Sequence, residues 1–183
     1  MLNKYMRKKE VEEVLEGKGD FVKIDYLMKY LKETPPLEMR KFAYLKLAEI
    51  YLYKEMFIDA ARMYRNIAIN SLTFREKKEN YLKESKAYIL AGKFEESDKA
   101  LRRAMDEGNT KEKKEAYKVL TDFYIKEGEN LEKIKKPGQL TKLYEKLIRM
   151  KLEDTEKEEV KEKLLGLYEK LGKREDYNSL KGI

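Results

Sequence analysis

Cysteine and histidine are both absent from this chain of 183 residues. Without cysteine there is no disulfide, no thiolate nucleophile and no cysteine-based zinc or iron–sulfur site. Without histidine the chain lacks the usual general base near neutral pH and the commonest ligand of transition metals. Hydrolysis by a Ser-His-Asp triad is therefore excluded. An enzyme that relies on carboxylates or lysines stays open as a minority alternative, but we expect no catalytic residues, no metal and no cofactor.

Proline and glycine are scarce, with three and nine residues respectively. Both residue types interrupt helices, so their scarcity favours long helices. Charged residues make up 42% of the chain, but hydrophobic residues make up another 42%, which is an ordinary share for a folded protein. The composition therefore predicts a folded, helical chain with a sizeable core.

Long apolar runs are also missing. The N-terminal stretch MLNKYMRKKEVEEVLEG is charged throughout, and no run approaches the roughly 18 apolar residues of a membrane helix. We therefore predict a cytoplasmic protein with no membrane contact. Abundant Lys and Glu without Cys is a thermophile-like composition. The net charge of +7 is spread thinly along the chain, as on an ordinary solvated surface.

Tyrosine, by contrast, recurs at regular intervals. Four of the tyrosines lie at intervals of 37, 36 and 44 positions, namely Tyr51, Tyr88, Tyr124 and Tyr168. Seven residues before the first three stand Tyr44, Tyr81 and Tyr117, on the same helical face. Four residues after the last three stand Gly92, Gly128 and Gly172, each predicted to end a helix, while Glu55 takes that place in the first unit. The spacing predicts an internal repeat.

Helix starts are predicted at matching places. Capping-box spacing, in which a cap residue is followed three positions later by Glu, occurs at Thr73/Glu76, Asn109/Glu112 and Thr155/Glu158. In the remaining unit Thr34 is the predicted cap, with Pro35 at the first helical position. A second amphipathic run follows each first helix after a tight turn, so each unit is predicted to be a helical hairpin.

These hairpins resemble the tetratricopeptide repeat, in which large and small residues alternate at fixed helical positions. One unit carries that pattern as Tyr44, Leu47, Ala48, Tyr51, Ala60, Tyr64 and Ile67, and the next as Tyr81, Glu84, Ser85, Tyr88, Ser97, Leu101 and Ala104. The resemblance spans almost the whole chain. It implies an all-α fold, an α-α superhelix of about five stacked antiparallel helix hairpins forming a single domain over 1–183. The expected hairpins cover about 3–36, 37–72, 74–108, 110–152 and 155–183.

In stacked hairpins of this kind the first helices line a concave groove. The nine positions expected to face it are Leu45, Glu49 and Leu52, then Leu82, Lys86 and Ile89, then Lys118, Asp122 and Ile125. Aliphatic side chains with lysines and carboxylates between them suit an amphipathic helix or an extended peptide of mixed charge. The Lys/Asn pair with which some family members clamp a C-terminal carboxylate is missing at these positions.

One stretch breaks the repeat. Residues 130–140, NLEKIKKPGQL, carry Lys133, Lys135 and Lys136 and are expected to form a protruding basic loop. Such a loop is either a tolerated surface insertion or a contact for a partner or a phosphate.

Two motifs that could indicate chemistry have simpler explanations. The Gly-Lys pairs in GKGDF and AGKFEES lack the spacing, hydroxyl residue and preceding strand of a phosphate-binding loop. The acidic clusters VEEV, FEESD and EDTEKEE are typical of helix starts and of exposed Glu–Lys faces. Neither motif favours an enzyme.

The sequence therefore favours a non-catalytic scaffold or adaptor that binds a protein or peptide partner in the groove. The alternative is an RNA-binding helical-repeat protein, because AGKFEESDKALRRAMDEG also resembles the pentatricopeptide repeat. Such a protein would use the diffuse basic surface and the 130–140 loop. A homodimer through the short last hairpin is a further expectation, since terminal repeats need a cap.

Overall fold

The computed structural model describes residues 2–106 and 108–182. Within them every regular element is an α-helix, and no strand occurs. The all-α prediction is therefore confirmed. The ten helices are α1 (Lys8–Leu15), α2 (Asp20–Lys32), α3 (Leu37–Tyr53), α4 (Phe57–Ile69), α5 (Phe74–Leu90), α6 (Phe94–Met105), α7 (Thr110–Lys133), α8 (Pro137–Ile148), α9 (Asp154–Lys170) and α10 (Arg174–Lys181).

The chain divides into two compact units, Met1–Ala116 and Tyr117–Ile183, and the division falls inside α7. In the first unit, contacts join α2 to α3, α3 to α4, α4 to α5 and α5 to α6. In the second unit, α8 packs on α9 and α9 packs on α10. The helices from α2 to α6 and from α8 to α10 thus pack against their neighbours in sequence, as helical hairpins do.

The same tight turn closes four hairpins. In each turn one residue has a positive φ, between 53° and 69°, and the residues are Glu55, Gly92, Lys135 and Gly172. The amide of the next residue donates to the carbonyl five positions earlier, at N–O distances of 2.8 to 3.1 Å. This pattern is the Schellman motif, which satisfies the last carbonyls of a helix and reverses the chain. The carbonyls belong to Tyr51, Tyr88, Leu131 and Tyr168.

The prediction that Gly128 ends a helix is wrong. Gly128 lies buried inside α7, which is seven residues longer than α3, α5 and α9. Helix-forming residues follow Gly128, so the helix continues for about two more turns before Lys135 supplies the turn. Seven residues are close to two helical turns, so Leu131 lies on the same face of α7 as Tyr124. Leu131 takes the position before the chain reversal that a tyrosine takes in the other hairpins closed by this turn.

Two of the predicted helix caps are also wrong. Thr34 has a positive φ of 51° and precedes a helix whose cap position is Pro36. Helix α9 begins at Asp154, before Thr155, and its capping box joins Glu153 to Glu156. The predicted caps at Thr73 and Asn109 are confirmed, because each side chain accepts a hydrogen bond from the backbone amide three residues on.

Small residues lie between the two helices of each hairpin. Ala48 and Ala60 are completely buried between α3 and α4. At the corresponding positions of the next hairpin, the hydroxyls of Ser85 and Ser97 hydrogen-bond at 2.8 Å, which requires α5 and α6 to approach closely. The tyrosines near the turns pack against the hairpins: Tyr51, Tyr124 and Tyr168 are buried, whereas Tyr88 is half-buried.

Ion pairs join the first helices of successive hairpins in the first unit. Lys41 Nζ lies 2.9 Å from Glu76 Oε1, and Lys78 Nζ lies 3.8 Å from Glu112 Oε1. The two lysines are 37 positions apart and the two glutamates 36 apart, which matches the tyrosine spacing. Both glutamates stand three residues after a helix cap. The spacing of the tyrosines is therefore shared by ion pairs that join α3 to α5 and α5 to α7.

Two tyrosine hydroxyls form hydrogen bonds between helices of the second unit. Tyr144 Oη donates to Glu132 Oε1 at 2.7 Å, which joins α8 to α7. Tyr168 Oη donates to Glu145 Oε1 at 3.0 Å, which joins α9 to α8. Burial and this hydrogen bond to a carboxylate raise the pKa of Tyr168 to about 12.

Two glycines inside helices provide a matched test of this packing. A Cβ added at Gly128 would lie 2.7 Å from Tyr144 Cε1, whereas one added at Gly166 in α9 meets nothing within 4 Å. Gly166→Ala should raise the free energy of unfolding by about 0.5–1 kcal/mol, because alanine has the higher helix propensity. Gly128→Ala should lower it by about 1–3 kcal/mol through overpacking. Urea denaturation of both variants measures the difference, and changes of the same sign would contradict the position of Gly128 against Tyr144.

Candidate functional site

The predicted groove positions of α3 lie on or near the surface of the first unit. Leu45 is 37% exposed, Glu49 is exposed and Leu52 is half-buried. An aliphatic side chain beside an exposed carboxylate is a suitable contact for an amphipathic ligand.

The predicted groove positions of α5 are less accessible. Leu82 and Lys86 are half-buried. Ile89 is only 2% exposed, because α5 packs against both α4 and α6, so this side chain belongs to the interior and is excluded as a surface contact.

The remaining three groove positions fall in the second unit. Lys118 and Asp122 are exposed. Ile125 is half-buried and lines a small cavity of about 160 Å³ together with Tyr144, Leu147, Glu156, Glu159, Val160 and Lys163. A cavity of that size accommodates one small side chain rather than a peptide.

A larger cleft lies between α1, α2 and α3 in the first unit, and we call it the first cleft. Its volume is about 530 Å³, which is within the range of ligand-binding clefts. Of the nine predicted groove residues, Glu49 is the one that lines it. The lining consists of Lys9, Glu12, Glu13, Leu15, Glu16, Lys23, Leu27, Lys46, Glu49 and Ile50.

The first cleft combines an apolar floor with charges of both signs. Leu15 and Leu27 are buried and form the floor. Lys46 Nζ lies 2.9 Å from Glu12 Oε1, which joins α3 to α1. Four glutamates and three lysines line the cleft, so its charge is nearly balanced. Such a surface can bind aliphatic side chains flanked by charges of either sign.

Sequence reasoning missed most of the first cleft. The N-terminal hairpin has the weakest repeat pattern: its first helix, α1, has only eight residues, and Leu15 stands where later hairpins have tyrosine. The alternation of Glu and Lys around Val11 and Leu15 was the available signal, since it gives α1 one apolar face and one charged face.

The basic stretch forms helix and turn rather than the predicted loop. Lys133 is the last residue of α7, Lys135 has a left-handed backbone conformation, and Lys136 is the cap residue of α8. Lys135 and Lys136 line a second cleft, of about 510 Å³, which we call the lysine cleft. Its other lining residues are Leu131, Glu132, Pro137, Leu140, Lys163, Gly166, Leu167 and Lys170.

A buried ion pair lies between α5 and α6. Glu84 has no exposed surface, and its Oε1 accepts a hydrogen bond from the guanidinium of Arg103 at 2.6 Å. The guanidinium also lies 5.4 Å from the centre of the Tyr81 ring. Within the described residues, Glu84 Oε2 and Arg103 Nε have no hydrogen-bond partner.

Burial dominates the titration of this carboxyl group. Desolvation raises the pKa of Glu84 to about 7, although the positive charges of Arg103 and Arg65 oppose the shift. Raised carboxyl pKa values often mark catalytic acids, but those lie in clefts that admit a substrate. Glu84 lines none of the clefts described above and has no exposed surface, so its environment indicates a structural role.

Neither a metal site nor a membrane span is present in the described part of the chain. No three acidic side chains there are grouped to bind an ion, and none of its helices is long and apolar enough to cross a bilayer. A scan against models of protein families and searches for similar sequences and solved structures gave no match. Function therefore has to be inferred from the clefts and the residues that line them.

The buried carboxyl predicts a pH dependence of stability. Because the pKa of Glu84 rises from 4.5 to about 7 on folding, the folded chain binds this proton more tightly than the unfolded chain. The resulting stability is fully present below pH 4.5 and is lost as the pH rises through about 7. The free energy of unfolding of wild type relative to Glu84→Gln should fall by about 1–3 kcal/mol over that interval. Urea denaturation at several pH values measures it.

The exposed carboxylate Glu79 on the same helix provides the control. Glu79→Gln should leave the difference from wild type nearly constant over the same interval, because an exposed carboxylate is solvated in both states. A constant difference for Glu84→Gln as well would show that its carboxyl is not desolvated.

Proposed function

We propose that this protein is a non-catalytic interaction module of the tetratricopeptide type, whose stacked hairpins bind a peptide or a helix of a protein partner. The observation that carries the proposal is the first cleft, which has an apolar floor and is lined by both glutamates and lysines. The recurring turn and the Lys–Glu pairs between successive first helices support the stacked arrangement.

The ligand that fits this cleft is an amphipathic segment of mixed charge. Leu15, Leu27 and Ile50 offer apolar contact for one or two aliphatic side chains. Glu13 and Glu49 are exposed, and no ion pair of theirs occurs in the described residues, so they are available for cationic side chains of the ligand. Exposed charges of this kind determine specificity and association rate more than total affinity.

Charge reversal in the cleft tests the proposal. Wild type is used to select peptides from a random library displayed on phage, and the selected peptides are then tested against the double variant Glu13→Lys/Glu49→Lys. Wild type should enrich amphipathic peptides with basic residues, and the variant should bind those peptides at least about tenfold more weakly because two attractive contacts become repulsive. Fluorescence anisotropy with the selected peptides measures the dissociation constants.

A matched control changes the same charges elsewhere in the first unit. Glu95 and Glu115 are exposed and do not line the cleft, so Glu95→Lys/Glu115→Lys should bind within about threefold of wild type. Equal losses in the two double variants would mean that overall charge, not the cleft, determines binding. Failure of wild type to enrich any peptide would refute a peptide-binding groove.

RNA binding is the second candidate, and one feature of the first unit favours it. A cleft of about 560 Å³ near the N-terminus is lined by Lys4, Arg7, Lys8 and Lys9 without a carboxylate. Tyr5, which is 82% exposed, also lines it. Cationic side chains around an exposed aromatic ring are the elements that bind single-stranded nucleic acid.

A salt titration separates this candidate from peptide binding. If several of these side chains engage phosphates, the affinity for an unstructured oligouridylate should fall steeply with salt, with a slope of about −0.7 per phosphate on logarithmic axes. Tyr5→Ala should weaken binding by about 1–3 kcal/mol through the lost stacking. Absence of binding at low salt would remove the candidate.

Two further expectations stay predictions. A homodimer through the last hairpin is compatible with the short α10, in which Leu180 is the buried residue. The cytoplasmic location likewise remains an expectation from composition.

A further inference from the structure

The lysine cleft in the second unit has a strong excess of positive charge. Its lining includes Lys135, Lys136, Lys163 and Lys170, against a single carboxylate, Glu132. This contrasts with the first cleft, where the two signs nearly balance. A cleft lined mainly by one sign of charge concentrates the field and attracts ligands of the opposite sign.

Three of these four lysines lack an ion-pair partner in the part of the chain that the structure describes, although the half-buried Glu127 attracts Lys136. No ion pair involving Lys135, Lys136 or Lys170 occurs in the described residues, whereas Lys163 lies 3.1 Å from Glu159. Glu132 is already engaged, because it accepts a hydrogen bond from Tyr144 and lies 3.9 Å from Lys163. The cleft therefore keeps an unneutralised positive charge for a ligand.

The backbone fixes where these charges lie. Lys135 and Lys136 occupy the Schellman turn between α7 and α8, so the seven-residue extension of α7 determines their position. Lys163 and Lys170 lie seven residues apart on α9, which is close to two helical turns and places them on one face. Four lysines, two from the turn and two from α9, thus line one cleft.

Between the lysines the cleft is apolar. Leu131 and Leu140 form a buried floor, and Leu167 is half-buried. Gly166 leaves the α9 wall open, since nothing lies within 4 Å of where its Cβ would be. Beside the lining residues in sequence, Ile134 is 49% exposed and Leu171 is 43% exposed. The positive charge thus surrounds a surface that can bury aliphatic side chains.

We infer that the lysine cleft binds an acidic amphipathic segment of a partner protein, with aliphatic side chains on its leucine floor and carboxylates on its lysines. The inference rests on the proposed interaction function and adds a second site with a different ligand. The acidic character follows from charge complementarity. The aliphatic character follows from the floor, which a free phosphate would leave unused.

The lining favours a peptide over a nucleic acid. None of its ten residues is aromatic, whereas sites for single-stranded nucleic acid stack bases on aromatic rings. Leucines of α7, α8 and α9 and the glycine of α9 instead form the kind of groove in which peptide side chains dock.

A pair of synthetic peptides tests the inference on the full chain. The probe is a fluorescein-labelled peptide of about 16 residues, with leucine at helical spacing and glutamate elsewhere on the same face. Its partner carries glutamine in place of every glutamate. At about 50 mM salt the glutamate peptide should bind, and the glutamine peptide should bind at least about tenfold more weakly. Raising the salt to about 300 mM should weaken the first far more than the second.

Charge reversal locates the site. Lys136→Glu/Lys170→Glu should weaken binding of the glutamate peptide at least about tenfold and should create binding of a lysine/leucine peptide. The control Lys142→Glu/Lys157→Glu makes the same change at exposed positions of α8 and α9 outside the cleft, and should stay within about threefold of wild type. Equal losses in the two variants would show a diffuse charge effect and overturn the inference.

A steric variant tests the floor without altering any charge. Gly166→Leu places a side chain in the cleft and should abolish peptide binding, while helix content by circular dichroism stays unchanged or rises. Unchanged binding would overturn the inference. The inference would also be overturned if an oligouridylate bound more tightly than the glutamate peptide and lost affinity in the same variants, because the site would then recognise polyanions in general. Since the variants of the first cleft lie in the other unit, loss of one site leaves the other testable.

Discussion

The left-handed residue at the end of each first helix is the constraint on which the other features depend. It breaks the helix at a fixed distance from a packed side chain and returns the chain along the same face, so that Tyr51, Tyr88 and Tyr168 each lie four residues before the reversal. Glycine adopts that conformation without strain at Gly92 and Gly172. Glu55 and Lys135 adopt the same conformation, although it is less favourable for a residue with a side chain.

The reversal has to lie on the same face of the helix, so an insertion fits when its length is close to a whole number of helical turns. The extension of α7 adds seven residues, which moves the turn along the helix axis and returns it to nearly the same face. An insertion of five residues would instead have rotated the position before the turn by about 140°, away from the hairpin interior. The same geometry carries Lys135 and Lys136 next to α9, where they meet Lys163 and Lys170 in one cleft. The length of the α7 extension thereby places both the packed Leu131 and two lysines of the lysine cleft.

Polar residues replace apolar ones in the interior of the third hairpin. Ala48 and Ala60 of the preceding hairpin correspond to Ser85 and Ser97, which satisfy each other. Glu84 stands where that hairpin has the buried Leu47; Arg103 donates to one of its oxygens, and the other accepts no hydrogen bond from the described residues. Buried ion pairs of this kind add little net stability, because the cost of removing both charges from water offsets their attraction.

The sequence by itself determined the helical class, most helix positions and the caps at Thr73 and Asn109, because these depend on residues within a few turns of each other. It could not place the end of α7, since a glycine permits a reversal without requiring one; in the structure the helix continues past Gly128 to Lys133. Nor could it show that Ile89 is buried or that two separate lysine pairs share one cleft. These were decided by the tertiary structure, because burial and convergence depend on which helices pack together.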